Sequence, residues 1–278
     1  MRLNSGWTIV AAILSIYLFT GSGNVHKSLT RKPQNYPFQP GEILQYRMSY
    51  SIFTVGRAEV VFDSILYRIS GKKYYRIDVN GRTAGAAQLV SSVNDNWGAL
   101  LDTSSLLPFQ SWRNLEEGRY RRRELVEFDH ARKRLTVNVI DNKTGRYTDP
   151  KVYEIKHTPI RDLVSGYLFL RVIDFRQLTP GDTISLENFL EDTFYHFRII
   201  YEGTEMIETR LGDILAYKLV PVMPDNRIFS GPNSITGWIS ADNLQIPLRI
   251  EAKMFIGHVG CDITGIENTK YVPVFRED

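Results

Sequence analysis

From residue 44 to residue 254 the chain repeatedly alternates apolar and polar side chains with a period of two. Leu44, Tyr46, Met48 and Tyr50 share one face, opposite Gln45, Arg47 and Ser49. The same rhythm runs through Ala58, Val60 and Phe62, through Tyr75, Ile77 and Val79, and through Leu135, Val137 and Val139. It returns in Tyr195, Phe197, Ile199 and Tyr201, and in Ile246, Leu248, Ile250, Ala252 and Met254. Successive strand side chains point to opposite faces, so each segment buries one face and wets the other. That is the pattern of antiparallel sheet, since strands buried on both faces read as unbroken apolar runs. Turn signals separate the segments: Gly71-Lys72, Asp129-His130, Asp141-Asn142, Glu202-Gly203, Leu211-Gly212-Asp213 and Ala241-Asp242-Asn243. Pro247 lacks a ladder donor, which places it on an edge strand or at a strand start.

One segment breaks the rhythm. Ile160, Leu163, Val164, Tyr167 and Leu168 fall on one helical face, predicting a helix over 160–171. Thr158 is the expected cap, Pro159 the first helical residue, and Asp162 suits the positive N-terminal end. The predicted fold is therefore mainly β: a large curved antiparallel sheet or half-open β-barrel, with one mid-chain α-helix packed on its concave face. Phe175 to Asp182 marks a soft internal boundary.

Residues 1–23 are set apart. Arg2 precedes an uncharged run from Trp7 to Phe19, and small residues follow to Gly23. This is the layout of a secretory signal peptide, and the run is short for a spanning helix. The alternative is an uncleaved anchor in the inner membrane. Residues 24–39, polar and carrying Pro33 and Pro37, read as a linker, and 40–278 as a single antiparallel β domain. After signal cleavage no stable membrane span is expected.

Several segments, in order, resemble the DUF3108 family of exported bacterial proteins. They are Pro40 to Tyr50 with Val55 to Ala58, Arg161 to Arg171, Pro180-Gly181-Asp182, Glu208 to Lys218, and Trp238 to Leu248. The resemblance spans roughly 40–266. It implies an exported, mostly antiparallel β protein and carries no activity or site residues with it.

Chemical motifs are sparse. The 34 Lys and Arg against 31 Asp and Glu leave a net charge of +3, too small to imply nucleic acid. One Cys among 278 residues permits no internal disulfide and no cysteine-based zinc site. Cys261 shares a strand face with Val259 and Ile263, the setting of a buried, inert thiol. Ser165 lies within the helix without the flanking glycines of a nucleophile elbow. The five histidines form no metal-spaced pair; Glu187, Glu191, Asp192 and His196 make a loose cluster that reads as a solvated acidic turn. Phosphate-binding glycine loops are absent, so no cofactor is expected.

The most unusual local feature is an arginine-rich hairpin. Residues 113–134 hold eight basic groups against five acidic ones. Arg119, Arg121, Arg122 and Arg123 are the candidate contacts for anionic lipid, an acidic glycan or an envelope protein. The structural alternative is a solvated hairpin whose Arg and Glu side chains pair across strands.

These readings converge on an exported, periplasmic envelope protein. The first expectation is a binding or carrier module for an amphipathic ligand, lipid or glycan. The second is a structural protein docking another envelope protein. A glycan hydrolase comes last, because no catalytic constellation is legible.

Overall fold

The chain is described by a computed structural model covering residues 30–32, 35–85, 87–90, 92–222 and 234–275. Residues 1–23, read above as a signal peptide, lie outside the described residues.

The first half of the sheet is a meander. Its strands are β1 Ile43–Tyr50, β2 Phe53–Ile69, β3 Lys72–Thr83, β4 Asn94–Asp102, β5 Pro108–Glu117, β6 Tyr120–Asp129, β7 Arg134–Ile140 and β8 Lys151–Glu154. A single helical turn, α1 Ala87–Val90, lies between β3 and β4, and the longer helix α2 is Leu163–Arg171. The second half comprises β9 Ile160–Arg161, β10 Thr183–Leu190, β11 Thr193–Thr209, β12 Gly212–Pro221, β13 Ile235–Ser240, β14 Pro247–Lys253 and β15 His258–Glu267.

The fifteen strands of the described residues join one sheet, in the order β8-β7-β6-β5-β4-β3-β2-β1-β15-β14-β13-β12-β11-β10-β9. The chain thus starts in mid-sheet at β1 and walks out to the β8 edge. Residues 155–159 take it to the opposite edge at β9, and after α2 it walks back from β10 to β15, which pairs antiparallel with β1. Neighbours are antiparallel except β9 and β10.

The sheet curls but does not close. The edges β8 and β9 are not hydrogen-bonded to each other; side chains cross the seam instead. Tyr153 of β8 packs on Phe189 and Phe194 of the β10–β11 hairpin, with ring centroids 5.2 and 6.4 Å away. Arg113 of β5 donates to Glu191 at 2.7 Å, and Lys151 to Asp192 at 2.6 Å. The Arg161 guanidinium donates to the Leu106 carbonyl at 2.9 Å and lies 4.2 Å from the Phe169 ring.

The predicted alternation survives as burial. Leu44, Tyr46, Met48, Val60, Phe62 and Ile77 are all buried on the inner side. Pro247 opens β14, where its missing N–H leaves the ladder intact. Glu202-Gly203 is not a turn: β11 runs through it, with a bulge between Tyr201 and Thr204. Phe175 to Asp182 is no domain boundary either. It carries the chain from α2 into β10 of the same sheet, with Phe175 stacked on Tyr217 at 4.4 Å.

The helix starts later than its periodicity suggested. Ile160 and Arg161 bridge in parallel to Glu187 and Asn188, which holds them extended. Asp162 is the cap: its carboxylate accepts from the Val164 and Ser165 amides, while the Ser165 hydroxyl accepts from the Asp162 amide. This capping box satisfies helix-end donors and contributes about 1 kcal/mol. Ser165 is thereby a buried structural residue.

The C-terminal end of α2 is anchored by a buried charge. Arg171 and Glu42 are both 0% exposed and form a two-armed ion pair. Arg171 also donates to the carbonyls of Gln245 and Leu244, at 3.2 and 3.1 Å. The expected linker is corrected at its C-terminal part. Tyr36 and Phe38 are buried, Phe38 packs on Phe62 at 5.1 Å, and the Arg31 amide donates to Val172 at 2.7 Å. The aromatic side chains of a polar-looking segment have been drawn into the core beneath the helix.

Candidate functional site

Tyr36, Phe38, Arg171 and Glu42 fill one end of the curled sheet. Toward the other end, between the N-terminal half of α2 and the concave face of β1, β2, β3, β14 and β15, the packing leaves a cavity. Its volume, taken as the space open to the centre of a water-sized sphere, is about 140 Å³, a narrow space.

The wall is built from the inward positions of alternating strands. Met48, Val60 and Val79 come from β1, β2 and β3, Cys261 from β15, and Leu163 and Tyr167 from α2, so the wall is overwhelmingly apolar. The polar atoms on it are already used. Tyr46 donates to the Pro247 carbonyl at 2.9 Å and meets the Tyr167 hydroxyl at 3.3 Å. Burial pushes the Tyr167 phenol up to about 12 and the Cys261 thiol up to about 12. Both groups are neutral near pH 7, and the thiol is unreactive there.

Charged residues gather at the rim, where Arg82, Asp95 and Arg249 contribute. The Asp95 carboxyl accepts from the Glu116 amide at 2.9 Å. Burial raises its pKa, and burial together with the neighbouring Asp95 carboxyl raises that of Glu117. The two carboxyls are close enough to raise each other's electrostatic cost of ionising.

Other sequence candidates go elsewhere. Glu187 pairs with His196 at 2.6 Å, while Glu191 and Asp192 turn to Arg113 and Lys151. The loose acidic cluster is thus dispersed into three pairs. Among the described residues no group of three His, Cys, Asp or Glu side chains is placed to hold a metal. In the arginine-rich hairpin, Arg122 is paired with Glu124, and Arg121 lies 3.9 Å from Glu116 and donates to two backbone carbonyls. Arg119 and Arg123 are exposed. The cavity walls exclude all of these arginines.

A profile of DUF3108, described as a protein of unknown function, matches residues 45–264. The chain belongs to the DUF3108 family. This member shares its fold with a β-barrel-like protein of the DUF1849 family from Brucella abortus. The TM-score is 0.51 at 7% identity, over 83% of this chain and 98% of that one. A protein of YmcC-like fold from Bacteroides fragilis aligns at TM-score 0.33 and 11% identity, over 84% of this chain and 98% of that one. No match was found among curated proteins.

Tyr46, Met48, Val60 and Val79 were legible in sequence as inward-facing residues. That they bound a void had no sequence signal, because an apolar position reads the same whether its neighbour is protein or empty space.

Proposed function

We propose that this DUF3108 protein is an exported binding or carrier module that holds the apolar part of an amphipathic ligand in the concave cavity. The observation that carries the reading is the wall itself: an open space lined by apolar side chains whose few polar atoms are satisfied internally. Buried polar groups without partners are what read a sugar's hydroxyls, and this wall presents none. An acyl chain is therefore favoured over a glycan. Its polar head would stay at the rim, near Arg82 and Asp95, with Arg119, Arg121, Arg122 and Arg123 of the hairpin as peripheral contacts for an anionic head. The apolar run Trp7 to Phe19 supports export, with the periplasm as the proposed destination. No helix among the described residues is long and apolar enough to cross a membrane.

Native mass spectrometry of protein gently isolated from the cell envelope tests this. Adducts of lipid mass that organic extraction removes are expected. Bare polypeptide in repeated preparations would argue against a carrier.

A further inference from the structure

We propose that two neighbouring hairpin tips, β1–β2 and β14–β15, dock the protein on an anionic lipid surface, with the mouth of the cavity at the same end of the molecule. Each tip carries two large apolar side chains in solvent: Ile52 is 88% and Phe53 67% exposed, Phe255 66% and Ile256 81%. Apolar side chains scattered singly need no explanation, but a cluster held together does. These tips are held together. Because β1 pairs with β15, the two turns are adjacent: the Ser51 amide donates to His258 at 2.8 Å, and the Tyr50 hydroxyl to the Ile256 carbonyl at 2.8 Å. Gly257, at φ +75°, lets the chains approach; a Cβ there would lie 2.9 Å from Tyr50 and Ser51.

The formal charge nearest the tips is positive: residues 50–58 and 252–258 contain Arg57 and Lys253 and no Asp or Glu, while Glu59, Glu251, Asp262 and the rim residue Asp95 stand farther from the turns. Arg57 faces Arg82 directly across β2 and β3, both are exposed, and neither has an ion-pair partner among the described residues. Like charges placed opposite each other destabilise a sheet unless something neutralises them. Arg57 sits four residues from Phe53, about 13 Å along the strand, so apolar tips sunk into a bilayer would bring it near the headgroups.

A lipid surface fits better than a protein partner. The tips are tight turns of strands that are paired on both sides in mid-sheet, so they offer no free edge for strand addition. Asp95, Val93 and Arg82 of the cavity rim lie where β3 ends and β4 begins, which is the same end of the sheet. A ligand leaving the bilayer between the tips would meet the mouth without crossing bulk water. Docking does not depend on what fills the cavity.

The desolvated Cys261 leaves room for a site-specific label. In the full chain, Ile256→Cys carrying an environment-sensitive fluorophore is titrated with phosphatidylglycerol-containing vesicles and with phosphatidylcholine vesicles. Ile65→Cys, 58% exposed near the opposite end of β2, is the control. Expected is a several-fold rise at position 256 on anionic vesicles, none at 65, and at least fivefold weaker binding for R57Q/R82Q and in about 0.5 M salt. No change at 256, an equal change at both positions, or a rise without vesicles that tracks protein concentration (a self-association face) overturns the proposal. A fluorescent fatty acid titrated without vesicles reads the cavity separately. If F53S/F255S keeps that binding and loses vesicle binding, docking stands on its own; loss of neither overturns it.

Discussion

Arg171→Met should be among the most damaging single substitutions in this protein. In the native structure the guanidinium and the Glu42 carboxylate are both fully buried, and Arg171 also serves the Gln245 and Leu244 carbonyls. Methionine fills much of the same volume but leaves a carboxylate stranded in the core. Breaking a buried pair from one side costs about 3–5 kcal/mol. For a domain of this size each kcal/mol lowers the melting temperature by about 2–4 °C, so a fall of roughly 6–20 °C is expected. Removing both charges relieves the larger part of the penalty. E42Q/R171M should recover at least half the loss, less the cost of two carbonyls without donors. Thermal and urea denaturation followed by circular dichroism, on wild type, both singles and the double, measure the coupling. A loss below about 1 kcal/mol for R171M, or strict additivity in the cycle, would refute the reasoning that this pair clamps α2 to the sheet.

Other substitutions follow from single contacts. Gly98→Ala places a Cβ about 2.3 Å from the Trp112 ring. It should displace the ring from its 2.9 Å hydrogen bond to Asn96, cost about 1–3 kcal/mol in urea, and shift the tryptophan emission. Native Cys261, half-buried with its thiol pushed up to about 12 by desolvation, should react slowly with thiol reagents at pH 8 and within seconds in denaturant; rapid native labelling would contradict the desolvated setting. The Asp174 carboxyl is held down to about 2 by its hydrogen bond from Arg176. Its stabilisation is present above the ordinary carboxylate range and lost as pH falls through 2, so Asp174→Asn should flatten the acid limb of the pH–stability curve. Asp95 and Glu117 run the other way, since their raised values make the ionised pair unfavourable as pH rises. Asp95→Asn should therefore melt higher than wild type at pH 8, with the gap closing near pH 4.

Sequence periodicity was enough to reveal the sheet, because one-sided burial leaves its mark at every second residue. The helix was legible from its apolar stripe, but its start was not: competition between helix and the β9–β10 bridge is settled by Asn188 and Glu187, far along the chain. Tyr36 and Phe38 were hidden by the prolines around them. Arg171 and Glu42 could not be paired from sequence, since 129 residues separate them and each alone resembles a surface charge. The hairpin tips did leave a trace. Ile52-Phe53 and Phe255-Ile256 are adjacent apolar pairs in turns, where alternation fails and polar residues are the norm. The arginine run between 119 and 123, the loudest sequence feature, is partly absorbed by local pairing with Glu116 and Glu124.

The central claim is that the concave cavity takes an apolar chain. Ala58 lines it, and Ala58→Phe would fill part of the space from a well-supported strand. Titration of delipidated wild type and A58F with a fluorescent long-chain fatty acid, in vesicle-free buffer, is the most direct measurement. Saturable binding to wild type at one site, weakened at least tenfold in a variant that melts normally, is the expected result. Absence of saturable binding to wild type, or equal binding by the filled variant, would contradict it.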